Sequence, residues 1–179
     1  MPSWERAIDY GTTTDVPKNQ TTDGFGGWYV PASGNKGVTG NVARFVQMKS
    51  GPCVAYSIMM GDYYLNYKAS NPNASTWFKN NVDTYLDAGG ATGTANSRIT
   101  KTDYSLSKIK TQLNAGKPVV VEGWNGSTRH MALVVAYVSC GGNTSQFVVD
   151  PYHSTTFPSK LSNFFATYSA TKKIGTFND

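Results

Sequence analysis

A chain of 179 residues, 39% hydrophobic and 13% aromatic, is long enough to bury one proper core and too apolar to stay disordered. Only 15% of its residues are charged, against about 25% in an average globular protein, and the net charge is +5. Two cysteines cannot staple a disulfide scaffold, no apolar run approaches the roughly 18 residues of a membrane span, and the scattered positive residues, with Lys172-Lys173 the one adjacent pair, form no nucleic-acid stripe.

A mild positive charge suits a solvated surface, or attraction to a polyanionic substrate such as a bacterial wall. The start of the chain, Met1-Pro2-Ser3-Trp4-Glu5-Arg6, has neither a basic n-region nor an apolar h-region, so no signal peptide is expected in it. Low charge with abundant Asn, Thr, Ser and Tyr nonetheless points to a secreted or extracellular setting.

Residues 1–42 are rich in Gly, Thr, Asn and Pro and show no period. They read as an extended N-terminal arm of a single domain, with a short helix near Trp4–Tyr10 and Trp28-Tyr29-Val30 as its anchor. From Cys53 the pattern turns helical: Val54, Ile58 and Leu65, with Ala55, Met59 and Tyr63, predict a helix over 53–68. Pro52 fits just before it, where a missing N–H costs nothing. Ser75-Thr76 followed by Trp77, Phe78, Val82 and Leu86 predicts a helix over 75–87, stopped by Gly89-Gly90. Residues 88–103 read as a polar loop. Ser105, Leu106, Ile109, Leu113 and the stop at Gly116 predict a third helix.

The period then becomes two. Strands are predicted over 118–124, 130–140 and 146–151, with Gly141-Gly142-Asn143 turning the second into the third. A short amphipathic helix over 159–168 and a last strand over 173–177 follow. Helices first and an antiparallel sheet second argue an α+β fold.

Cys53 follows the tight Ser50-Gly51-Pro52 turn at a helix start, where free N–H groups and the helix dipole favour thiolate, the nucleophilic form. Of the two histidines, His130 opens a strongly apolar strand, while His153 follows a turn and reads as solvated. Pairing of that strand with the next brings Asp150 to the same sheet end, where a carboxylate would fix the imidazole tautomer. Gln47, six residues before Cys53, is a candidate oxyanion donor together with the Cys53 N–H. Glu122 and Trp124 alternate onto one strand face and are candidate substrate-binding residues. Cys140 reads as structural. Two Cys and two His without ligand spacing predict no metal, and no cofactor is expected.

In order these are Gln, Cys, His and Asp. The segment Gln47-Met48-Lys49-Ser50-Gly51-Pro52-Cys53-Val54-Ala55-Tyr56-Ser57 resembles the papain active-site segment Q-G-S-C-G-S-C-W-A-F-S. The six-residue Gln-to-Cys spacing, Gly51, Ala55, the aromatic Tyr56 and Ser57 match. His130-Met131-Ala132-Leu133-Val134-Val135-Ala136-Tyr137 resembles the family's H-A-V-x-x-V-G-Y strand, and Asp150 stands where papain has Asn. Small bacterial members, staphopain-like and double-glycine-peptidase-like, are closer in pattern. The latter share Gly116-Lys117-Pro118 leading into a Val strand, and an Asp-Pro such as Asp150-Pro151. The resemblance spans residues 45–151.

Two departures stand out. Ser50 replaces the cysteine of a structural disulfide, and Val54 replaces Trp. A second register, C-G-P, would set Ser50 in the nucleophile position. The Gln47 spacing, the helix start and the Ala-aromatic-Ser sequel favour Cys53. The resemblance implies a papain-like cysteine peptidase in which Cys53, His130, Asp150 and Gln47 hydrolyse peptide bonds. Its substrate is expected to be a polypeptide or a peptidoglycan peptide, as for a bacterial or phage cell-wall lysin, and the chain is expected to be a monomer. The rival reading is a catalytically inactive binding module on the same scaffold.

Overall fold

The structure, a computed structural model, describes residues 27–28, 35–37, 40–41, 45, 53–87, 91–140, 143–152 and 159–179. The expected helix near Trp4–Tyr10, Ser50, Pro52, Gly89-Gly90, Gly141-Gly142 and His153 lie outside them, as do the side chains of Trp28 and Cys140.

Part of the stretch expected to be an extended arm forms short strands: β1 (Gly27–Trp28), β2 (Asn35–Gly37) and β3 (Gly40–Asn41). β1 pairs with β3. The first long helix, α1, runs Cys53–Asp62 and widens into a π-helix over Tyr63–Tyr67, closed by Lys68 N–H donating to Tyr63 O at 2.8 Å. All of its residues but Val54 are buried. A helix apolar all round belongs in a core.

Helix α2 (Ala74–Tyr85) starts a residue before its expected position. Asn73 is the reason: its side chain accepts from Thr76 N–H at 2.9 Å and caps the first turn. Residues 88–103, expected to be loop, are not all loop. They hold α3 (Gly93–Asn96) and strand β4 (Ile99–Asp103). In β4 only Ile99 is buried, so the apolar signal is a single residue. The strand exists because β9 (Ala170–Phe177), distant in sequence, pairs with it.

Helix α4 (Leu106–Asn114) is capped by Ser105 Oγ, which accepts from Lys108 N–H at 3.2 Å. Gly116 follows at φ +77°, the left-handed conformation that ends helices. Strands β5 (Val119–Trp124), β6 (Arg129–Cys140) and β7 (Asn143–Val149) come next, within a residue or a few of expectation. Cys140 pairs with Asn143, which leaves two residues for the hairpin connection. The last part is β8 (Ser159–Lys160), α5 (Leu161–Thr167) and β9.

Among the described residues one sheet of seven strands runs in the order β4-β9-β5-β6-β7-β8, with β2 also pairing with β6, and every pairing is antiparallel. The fold is mixed α and β. One face of the sheet, with Val120, Met131, Leu133 and Val149, packs on α1 and α2 through Ile58, Met59, Trp77 and Phe78. The other, with Val119, Val121, Ala132 and Val134, packs on α4 and α5 through Ile109, Leu113, Leu161 and Phe164. Both faces of β6 are therefore covered, which explains its near-continuous apolar run.

A buried polar knot ties the helices to the sheet. Asp62, at the end of α1, accepts from Tyr85 OH of α2, from Asn66 Nδ2 at 2.5 Å and from Arg98 Nη1 at 3.1 Å. The Arg98 guanidinium also lies 4.2 Å from the Tyr85 ring centroid. No described helix is long and apolar enough to cross a membrane.

Candidate active site

Cys53 is the first residue of α1, buried at 8% exposure. The helix end presents free backbone N–H groups and the positive end of its dipole there. One helical turn further on, Ser57 Oγ donates to the carbonyl of Met131 in β6 at 2.9 Å. The helix carrying the cysteine is thus fastened to the strand carrying the histidine.

His130 is the second residue of β6 and 6% exposed. Asp150 follows β7 directly and is 7% exposed. The register places Leu133 opposite Val149, so Asp150 shares a sheet face with Ala132 and His130. His130 Nε2 lies 2.8 Å from Asp150 Oδ1. Asp150 Oδ1 also accepts from Tyr152 N–H at 2.8 Å, which pins the carboxylate across Pro151. Cys53 stands near enough to the His130 side chain to raise its proton affinity. With Nε2 directed at Asp150, Nδ1 is the ring nitrogen left for the thiol.

The electrostatics follow from that chain. Burial, the largest influence on His130, favours the neutral ring. The hydrogen bonds and negative charges of Asp150 and Cys53 outweigh it, and the imidazole is pushed up to about 9. The balance favours the protonated ring, a proton donor between a carboxylate and a sulfur.

Aromatic rings wall the pair in. The His130 ring stacks on Phe164 at 5.7 Å and lies 5.0 Å from Tyr168, both from α5 and its end. Tyr152 meets it edge-on at 6.3 Å. Gly123, opposite His130 in the β5–β6 ladder, makes this possible. A Cβ there would lie 2.2 Å from Tyr168 O and 2.7 Å from Tyr168 Cβ, so only glycine lets the chain after α5 cross so closely. Burial, then the charges of Asp150 and Cys53, push the Tyr168 phenol up. Between Asp150, Tyr152, Asn163 and Tyr168 a cleft of about 230 Å³ opens on the side of His130 lined by α5.

The structure brings together Cys53, His130 and Asp150. Gln47 lies outside the described residues. Glu122 and Trp124, expected to bind substrate, do not line this cleft. The Glu122 carboxylate is buried and engaged by Lys101 Nζ at 2.8 Å and Arg129 Nε at 3.6 Å, which ties β5 to β6 on one side and, across β9, to β4 on the other. Trp124 is half-buried at the end of β5. Sequence reasoning missed the aromatic wall. Its signals were a glycine inside an otherwise β-branched strand and the Phe164-Phe165 and Tyr168 cluster in the helix that follows. Among the described residues, no group of three or more His, Cys, Asp and Glu is placed to hold a metal ion.

Compared with known proteins, the chain matches no protein-family model and no curated protein.

Proposed function

We propose that this chain is a papain-like cysteine peptidase that hydrolyses amide bonds with Cys53, His130 and Asp150. The observation that carries the reading is a helix-start cysteine beside a buried imidazole that is itself hydrogen-bonded to a buried carboxylate. Three such groups, each under a tenth exposed and each on a different element, have no shared structural need for one another. They have a shared chemical one.

In this mechanism the proton rests on His130 and the negative charge on Cys53 Sγ. The thiolate adds to the substrate carbonyl carbon, and the carbonyl electron pair moves to oxygen. The Cys53 N–H at the helix start, with the Gln47 side-chain amide, donates to that oxyanion. The tetrahedral adduct collapses, the C–N bond breaks and the His130 proton goes to the departing amine. A water then gives a proton to the now neutral imidazole and adds to the thioester. Loss of Sγ from the second adduct releases the carboxylic acid and restores the thiolate–imidazolium pair. Asp150 keeps Nε2–H in place and stabilises the imidazolium throughout. The mild positive charge and polar composition favour an extracellular substrate, either a polypeptide or the stem or bridge peptides of a cell wall.

The test is mass spectrometry after brief treatment with iodoacetamide or E-64 at pH 6, on the native chain and on Cys53→Ala. One adduct on the native chain that vanishes in the variant is expected. An unmodified native chain, or an adduct on Cys140, overturns the reading and leaves the inactive binding module in its place. Loss of turbidity of bacterial cells, compared with cleavage of casein, then separates the two substrate classes.

A further inference from the structure

Among the described residues five polar or charged side chains are buried: Ser57, Asp62, Glu122, His130 and Asp150. Asp62 and Glu122 are held in ion pairs, and His130 and Asp150 belong to the site. Ser57 is left. It is 0% exposed, in the middle of a helix buried on nearly every side, where an apolar side chain would cost less. A helical serine ordinarily turns its hydroxyl to the carbonyl four residues back, here that of Cys53. Ser57 donates instead out of its helix, to Met131 O at 2.9 Å.

Both ends of that bond are placed for one purpose. Ser57 lies four residues after Cys53, on the same helix face and one turn along. Met131 is the residue after His130. Continuing the β6–β7 register past the Leu133–Val149 pair sets Pro151 opposite Met131, and proline has no N–H to give a strand neighbour. The Ser57 hydroxyl gives that carbonyl a donor from the helix. The core contacts between α1 and β6 are apolar, and apolar contact is non-directional: it holds the helix on the sheet but does not fix how far it slides along its axis. A hydrogen bond between a helix turn and a named strand carbonyl does fix it.

On the peptidase reading above, we infer that Ser57 is a positioning residue: its hydroxyl pins α1 to β6 so that Cys53 Sγ stays within hydrogen-bond reach of the His130 ring. Among the described residues the titratable groups that face His130 are Cys53, Asp150, Tyr152 and Tyr168, and Ser57 touches none of them in the bonds it makes. Its effect passes through geometry alone.

The experiment measures the rate of iodoacetamide alkylation at Cys53, by peptide mapping, from pH 5 to 9. It compares the native chain, Ser57→Ala and Ser57→Thr, with circular dichroism and thermal melts alongside. The native chain is expected to react rapidly at pH 6. Ser57→Ala is expected to fold, to lose about tenfold or more of the pH 6 rate, the order of loss that a displaced reacting group brings, and to react only as an ordinary thiol toward pH 8.5. Ser57→Thr keeps the hydroxyl and is expected to restore the low-pH limb. A native profile in Ser57→Ala overturns the inference. Equal loss in both variants overturns it too, by assigning the effect to packing. So does a Ser57→Ala chain that fails to fold beside a Ser57→Thr chain of native profile, because the hydroxyl then serves stability alone. A native chain without rapid alkylation at pH 6 is the separate failure of the peptidase reading itself.

Discussion

Replacing Asp150 with asparagine separates the two things the carboxylate does for His130. The amide keeps an oxygen for Nε2–H, so the hydrogen bond at 2.8 Å and the ring orientation are retained. The charge is lost. In the native chain burial opposes the imidazolium, and Asp150 and Cys53 overcome it to lift the ring from 6.5 to about 9. That lift is worth about 3 kcal/mol at about 1.4 kcal/mol per tenfold in protonation. Without the Asp150 charge, burial is opposed by Cys53 alone, and His130 is expected to titrate below about 8. The assay is NMR of ¹³C-labelled histidine across pH 5–10. The chain has 2 histidines, so the variant His153→Gln assigns both signals. In parallel, the alkaline limb of Cys53 alkylation should move down with the His130 titration. A native His130 that titrates at or below 6.5 refutes the electrostatic account of the site. So does an Asp150→Asn His130 that still titrates near 9.

Three further outcomes are expected. A ring whose folded value is raised contributes stability that is complete below its unfolded value of about 6.5 and is lost as pH rises through about 9. Urea denaturation should therefore show stability falling by up to about 3 kcal/mol across that window, with a smaller fall in Asp150→Asn. Tyr85→Phe removes a buried donor to Asp62 and should cost about 1–3 kcal/mol of stability in the same assay while leaving Cys53 alkylation at 25 °C unchanged. An undiminished midpoint would mean the Asp62 knot is not structural. Gly123→Ala places a Cβ 2.2 Å from Tyr168 O and should cost about 1–3 kcal/mol of overpacking. It should also shift the His130 ring resonances as Tyr168 moves away. Unchanged resonances would show that the aromatic wall does not depend on that close approach.

How much of this was legible in the chain depended on how local the signal was. The period of apolar residues gave α1, α2, α4, α5 and the strands β5, β6, β7 and β9, because each is set by its own neighbours, whereas Ser159–Lys160, expected in the helix, pairs with β7 as β8. Asn73 and Ser105 cap α2 and α4, and Asn73 moved the boundary that Ser75 had suggested. β4 was hidden because its stability resides in a partner about 70 residues away and its own residues are mostly exposed. Hairpin pairing put Asp150 at the sheet end that carries His130, but a register shift between Val134 and Ala136 decides that the two share a face.

The sequence by itself determined the longer helices and the strands β5, β6 and β7, and it set Cys53 at a helix start. Tertiary structure decided what the residues at the site do to one another. Glu122 alternates onto the face that sequence reasoning assigned it, yet Lys101 and Arg129 hold it as an ion bridge. Tyr168 and Phe164, from α5 and its end, and Gly123, from β5, form one wall around His130. Periodicity reports which side of an element is apolar. It carries no information on how far one element lies from another, and the chemistry of a thiol, an imidazole and a carboxylate depends on that distance.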